Sequence, residues 1–266
     1  MRLTIYHKTH YRFDDEVTYG LQQLRKTPKT SHQQYVISWQ TKVEGGRKEL
    51  SFEDHHNNLV ELISFDRNAT EVTVSSQGDV ELEDTRGIVG RHLGPSPLWL
   101  YGKATPRTQA KAGVKSLLKK LDSKDRGLET MHALSALIRE TIKFRVGSSQ
   151  PHWTAEDSIT AGEGVCQDHT HIFLACARAL GVEARYVSGY LMLNDRIVQD
   201  AMHAWAEAHI EGLGWVGFDI SNGISPDTRY VRVATGLDYM DAAPISGTRI
   251  GGSGERLDVQ IEVTQQ

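Results

Sequence analysis

The chain has 266 residues, with 30 Lys+Arg against 34 Asp+Glu and a formal net charge of -4. No stretch is strongly basic and no apolar run nears membrane-spanning length, so neither nucleic acid nor a membrane is an expected partner. The length suits two unequal domains, each with a core of its own.

The N-terminal run Met1-Arg2-Leu3-Thr4-Ile5-Tyr6-His7-Lys8 turns polar at once, unlike a signal peptide. Leu3 to Tyr11 and Tyr35 to Val43 roughly alternate, and shorter β-rich pieces follow at Glu49 to Phe52, Leu59 to Phe65 and Glu71 to Ser75. Polar clusters such as Asp54-His55-His56-Asn57-Asn58 separate them. Short strands with frequent turns predict an antiparallel β-sandwich over residues 1–86. Residues 87–104, with Gly94-Pro95-Ser96-Pro97 in the middle, read as a linker, and a second domain is expected over 105–266.

In that second part Thr105-Pro106 predicts a helix start for Arg107 to Leu121. Leu128, Met131, Leu134, Leu137, Ile138 and Ile142 predict another helix, and Phe144 to Gly162 reads as irregular. Gly162-Glu163-Gly164 then leads into Val165-Cys166-Gln167-Asp168-His169. A glycine turn delivers Cys166 to the first turn of a helix, where free N–H groups and the helix dipole favour a thiolate. Taken alone, such a cysteine is equally a small buried residue. Ile172, Cys176, Ala179 and Leu180 mark one apolar face of this helix, which makes Cys176 a core residue, and Gly181 is placed to end it. On one helix the two cysteines lie about 15 Å apart and cannot pair. A reducing, cytoplasmic location is the simplest expectation.

A strand is predicted from about Ala184 to Leu193, and His203-Ala204-Trp205-Ala206-Glu207-Ala208-His209-Ile210 then alternates clearly. Trp215-Val216-Gly217-Phe218-Asp219 follows after a glycine-bearing gap, which predicts a hairpin. Pairing symmetric about Glu211 sets His203 opposite Asp219, Trp205 opposite Gly217 and Glu207 opposite Trp215 on one face. Ala204 then meets Phe218, and Ala206 meets Val216, on the other. Asp219 would thereby fix the His203 ring, leaving the second ring nitrogen for Cys166.

The chemistry needs each of these types. A thiolate beside an imidazolium is the nucleophile, the histidine protonates the leaving amine and later activates the acceptor, and the aspartate holds the ring. The Cys166 N–H is the natural first donor to a tetrahedral oxyanion, with Trp153 a weak candidate for a second. His169, His171, His203 and Asp168 also invite a metal-site reading. However, His169 and His171 lie two apart on a helix and point to different sides, and Asp168 reads better as a first-turn carboxylate. No metal or other cofactor is expected.

From about Ser158 to Asn222 the chain resembles the bacterial branch of the transglutaminase-like superfamily of papain-related folds. The resemblance is carried by Gly164 to His169, Ala179 to Tyr190, His203 to Glu207 and Gly214 to Asp219. Residues 1 to about 80 resemble the β-rich N-terminal region of that branch, and Gly236 to Gly247 its C-terminal loop, with Leu237 where arginine is usual. The resemblance implies an α+β fold: the N-terminal β-sandwich, then a papain-like core with the cysteine helix packed on an antiparallel sheet. It implies a catalytic triad of Cys166, His203 and Asp219, acting on an amide or ester carbonyl through a thioester. Hydrolysis of a peptide, protein or small amide is the favoured reading. Acyl transfer to an amine and a catalytically silent protein-binding module are the alternatives. Asp227 to Val233 is read as one more strand, and Leu257, Val259, Ile261 and Val263 as a last one with a buried face, after a loop containing Gly247 and Gly254.

Overall fold

The computed structural model describes residues 1–150 and 152–266. Its first sheet is organised by β1 (Arg2–Leu24), whose alternating Leu3, Ile5, His7, Thr9, Tyr11 and Phe13 all turn inward. The strands β2 (Gln34–Glu44), β3 (Gly46–Glu53), β4 (Leu59–Phe65) and β5 (Ala69–Leu82) follow in the expected places. With three strands from later in the chain they form one continuous eight-stranded antiparallel sheet that curls around β1. The first half of β1 pairs with β5 and the second half with β4, because β1 outruns every neighbour.

The short β6 (Ile88–Gly90) precedes the helices α1 (Ala112–Leu118) and α2 (Leu128–Thr141). Next come β7 (Lys143–Phe144), α3 (Ala155–Ala161), β8 (Glu163–Gly164) and α4 (Cys166–Ala179). The chain continues through β9 (Ala184–Leu191), β10 (Val198–Gln199), β11 (His203–Ile210), β12 (Gly214–Phe218) and β13 (Tyr230–Gly236). It finishes with α5 (Tyr239–Ala242), β14 (Ile245–Gly251) and β15 (Arg256–Gln265). The second sheet has the order β13-β9-β11-β12-β6, and Ile172, Phe173 and Cys176 of α4 pack on it against Ala206, Ala208 and Phe218. Cys176 is fully buried, as its place on the apolar face requires.

Several local expectations are corrected. Pro106–Thr108 is only a 3-10 turn, with Thr105 and Thr108 capping each other, and the α-helix starts at Ala112. The irregular stretch 144–162 contains α3, started by a reciprocal cap in which Thr154 and Asp157 bond each other's backbone N–H. Sheet membership also departs from a division into 1–86, linker 87–104 and 105–266. Within the linker, β6 pairs with β12, while β14 and β15 pair with β1 of the N-terminal sheet. Alternation gives β15 an apolar face without saying which strand it joins, and β1 offers it a long free edge.

Candidate active site

Cys166 stands at the first residue of α4, preceded by the extended Val165. Asp168 reaches back so that its Oδ2 accepts the Val165 N–H at 2.8 Å, fixing the helix start. This return requires glycine at 164, where a Cβ would lie 2.7 Å from the Cβ of Asp168. The N–H groups of Cys166 and Gln167 belong to the first turn and have no acceptor among the described residues. They face partly open surroundings, since Cys166 is half-buried.

The hairpin is present with a shifted register. Ile210 pairs with Gly214, Glu207 with Gly217 and Ala206 with Phe218, so the centre is Gly212 and not Glu211. Gly212 and Gly214 both adopt positive φ, which lets the turn close one residue later than expected. Moving the centre by one shifts each partner by two, so the two faces keep their expected residues. Regular pairing stops at Phe218, and His203 instead lies opposite Gly189 of β9.

Even so, His203 Nε2 meets Asp219 Oδ2 at 2.6 Å. Asp219 is fully buried at the head of a tight 219–224 turn, whose Gly223 and Ile224 N–H groups bond its carbonyl. The same Oδ2 accepts Tyr230 Oη and Asn222 Nδ2, each at 2.7 Å, and Oδ1 accepts the Asn222 N–H at 3.1 Å. Sequence reasoning missed Tyr230 and Asn222; the polar turn after Asp219 was the only signal. Burial would raise the Asp219 pKa, but His203, Tyr230 and Asn222 together hold it below the usual carboxylate range.

With Nε2 committed to Asp219, Nδ1 is the ring nitrogen left over, and Cys166 and His203 line the same cleft. Burial alone would lower the His203 pKa, yet the charges of Cys166 and Asp219 raise it to about 10. The structure therefore brings Cys166, His203 and Asp219 to one site, with His203 bonded to the carboxylate and sharing the cleft wall with the thiol. Cys176 is remote in role, its thiol pushed up to about 12 by burial.

A cleft of about 300 Å³ opens over Cys166 and His203. One wall comes from the N-terminal sheet, through His7, Thr9 and Tyr11 of β1 and Leu257 and Val259 of β15. The joining of β15 to β1 thus shapes the site. Pro244 and Ile245 also line the cleft, at the start of β14, whereas the glycines at 251 and 252 turn at the far end of that strand. Trp153 is not part of the wall; its carbonyl accepts Arg107. Leu237, where the resemblance led us to expect arginine, offers its carbonyl to the buried Arg178 at 2.7 Å.

His169 bonds Ser221 Oγ at 2.9 Å and the Ile142 carbonyl at 3.2 Å, while His171 accepts the Tyr239 N–H on another side of the helix. Among the described residues no group of three or more His, Cys, Asp or Glu could hold a metal ion.

A helix carrying a cysteine at its N-terminus, packed on an antiparallel sheet that carries a histidine and an aspartate, defines a transglutaminase-like, cysteine-protease class of fold. Residues 115–220 match the Transglutaminase-like superfamily, and residues 3–81 match the Bacterial transglutaminase-like N-terminal region. The two matches fall on the catalytic-core part and the N-terminal part of the chain respectively. The chain is 26% identical to Uncharacterized protein ML0607 of Mycobacterium leprae, covering 99% of each chain. It is likewise 26% identical to Uncharacterized protein Rv2569c of Mycobacterium tuberculosis, over 98% of this chain and 92% of that one. The fold matches a crystal structure described as a "Putative Cysteine Protease from Cytophaga hutchinsonii", with a TM-score of 0.80 and 22% identity over 99% of this chain and 90% of that chain.

Proposed function

We propose that the protein is a cysteine-dependent hydrolase of peptide or amide bonds that works through a thioester. The observation that carries this reading is the 2.6 Å bond from His203 to Asp219 beside a cleft that Cys166 and His203 both line. The Cys166 thiolate attacks the carbonyl carbon, and the Cys166 N–H steadies the oxyanion. As the C–N bond breaks, imidazolium His203 gives its proton to the departing amine. His203 then takes a proton from water, which attacks the thioester and releases the acid and the thiol. Asp219 keeps the ring in one orientation throughout.

The substrate is a peptide, a protein or a small amide, taken into the cleft shared with the N-terminal sheet. A cytoplasmic, reducing location suits two free cysteines, one of them the nucleophile. The test is a peptide and amide library turned over by wild type and by Cys166→Ala, with and without a primary amine. Hydrolysis lost in Cys166→Ala is the expected result. Amine incorporation exceeding hydrolysis would replace this reading with acyl transfer, and no turnover by wild type, with equal slow alkylation of both cysteines, would favour a binding module.

A further inference from the structure

Attack on a carbonyl throws negative charge onto its oxygen, and such sites hold that oxygen with at least two aimed donors. The Cys166 N–H supplies one. Tyr186 has the attributes of the other. It lies on β9 opposite Ala206, on the side of the sheet that packs against α4, with the small Ala204 and Ser188 paired two residues along the strands. Although only 2% exposed, it forms part of the wall of the cleft over Cys166 and His203.

Its hydroxyl has no hydrogen-bond partner among the described residues. A tyrosine buried so deeply ordinarily has one. Three other buried tyrosines have one: Tyr190 Oη bonds the Lys26 carbonyl at 3.3 Å, Tyr230 Oη bonds Asp219 at 2.7 Å, and Tyr101 Oη bonds His56 at 3.1 Å; Tyr11, which also lines the cleft, has none of hydrogen-bond geometry among the described residues. Tyr186 instead makes ring contacts, with His171 and Tyr239. An unpaired phenol in the wall of a cleft is a donor awaiting a ligand acceptor.

We propose that the Tyr186 hydroxyl donates the second hydrogen bond to the substrate's carbonyl oxygen as Cys166 attacks it, completing the oxyanion site with the Cys166 N–H. This rests on the reading of Cys166 as the nucleophile. Burial, together with the negative charge of Cys166, holds the phenol pKa well above its ordinary value, so the group donates a hydrogen bond and keeps its proton. Bond breaking is unaltered: the leaving amine takes its proton from His203.

Two probes separate this role from others without knowledge of the natural substrate. Iodoacetamide alkylates Cys166 with no oxyanion formed, whereas p-nitrophenyl acetate acylates it through one. In Tyr186→Phe, acylation should fall about 10²-fold while alkylation stays near the wild-type rate. Unchanged acylation, or equal slowing of both reactions, overturns the proposal, the latter because the hydroxyl would then serve the thiolate. A fall in Gln167→Ala with none in Tyr186→Phe overturns it in favour of the neighbouring amide. Should the phenylalanine variant fail to fold, 3-fluorotyrosine at position 186 replaces it: this stronger donor should keep or raise the acylation rate, and a marked fall overturns the proposal. If wild type itself shows no selective reaction at Cys166 with either probe, the nucleophile reading fails, which is a distinct result.

Discussion

His203 and Asp219 meet side chain to side chain at 2.6 Å, although regular pairing between their strands ends at Phe218 and His203 pairs with Gly189 on the opposite neighbour. The contact is made across the end of a hairpin, by a carboxylate that a tight turn aims back at the strand. Three donors converge on one Oδ2, from His203, Tyr230 and Asn222, so its negative charge is both required and confined.

Asp219→Asn replaces an atom pair that only accepts by one that must also donate. One of the converging donors is then left facing an N–H, and the imidazole loses its orienting charge. We expect acylation by p-nitrophenyl acetate to slow by about 10²- to 10⁴-fold. The folded state should also lose about 1–3 kcal/mol, measured by urea unfolding.

The raised pKa of His203 makes a signed prediction for stability. Its ordinary value of 6.5 is lifted to about 10, so the folded state binds the proton more tightly than the unfolded chain. That contribution is fully present below pH 6.5 and is lost as the pH rises through about 10. The difference in unfolding free energy between wild type and His203→Gln should therefore shrink across this window, with a slope of at most about 1.4 kcal/mol per pH unit. A difference that does not change with pH would contradict the imidazolium assignment.

Lys26 gives the opposite sign. It is fully buried beside the cleft wall, and among the described residues its ammonium bonds the His7 carbonyl at 3.4 Å and Thr9 Oγ1 at 3.3 Å. Burial drives its pKa from 10.5 down to about 7, against a partial upward pull from Glu61. Between these values the unfolded chain carries the proton and the folded protein does not, so stability rises with pH there. Lys26→Met should remove that rise and gain about 1 kcal/mol or more at pH 6, read from denaturant midpoints at several pH values.

Glu207 is fully buried, and its carboxylate bonds Arg185 at 2.6 Å and Arg232 at 2.8 Å. Arg185 also lies 4.0 Å from the centroid of the Trp215 ring. Removing the single negative charge leaves a buried guanidinium without its counter-ion. Glu207→Gln should cost about 3–5 kcal/mol of unfolding free energy by chemical denaturation. Because the network sits behind the sheet, selective alkylation of Cys166 should survive in the folded fraction.

Much of the architecture was legible because it depends on local period. The apolar face from Ile172 to Leu180 predicts α4, and the alternation from His203 to Asp219 predicts both hairpin strands and their faces. The helix α3 left a signal in Thr154 and Asp157, three residues apart and able to cap one another, which the polar composition around it obscured. The hairpin register was misplaced because Gly212 and Gly214 take positive φ, a choice glycine permits without announcing it.

By itself the sequence determined that a cysteine would start a helix, that an imidazole and a carboxylate would share a face of neighbouring strands, and that the chain would end in a strand with one apolar side. These follow from interactions within a few residues. Tertiary structure alone decided that Tyr230 and Asn222 would crowd the same oxygen as His203. It also set Tyr186 unpaired in the cleft wall, and joined β15 to β1 so that both ends of the chain build one side of the site. Those contacts join residues far apart in sequence, and a periodic pattern specifies which side of an element is apolar but not which distant element will cover it.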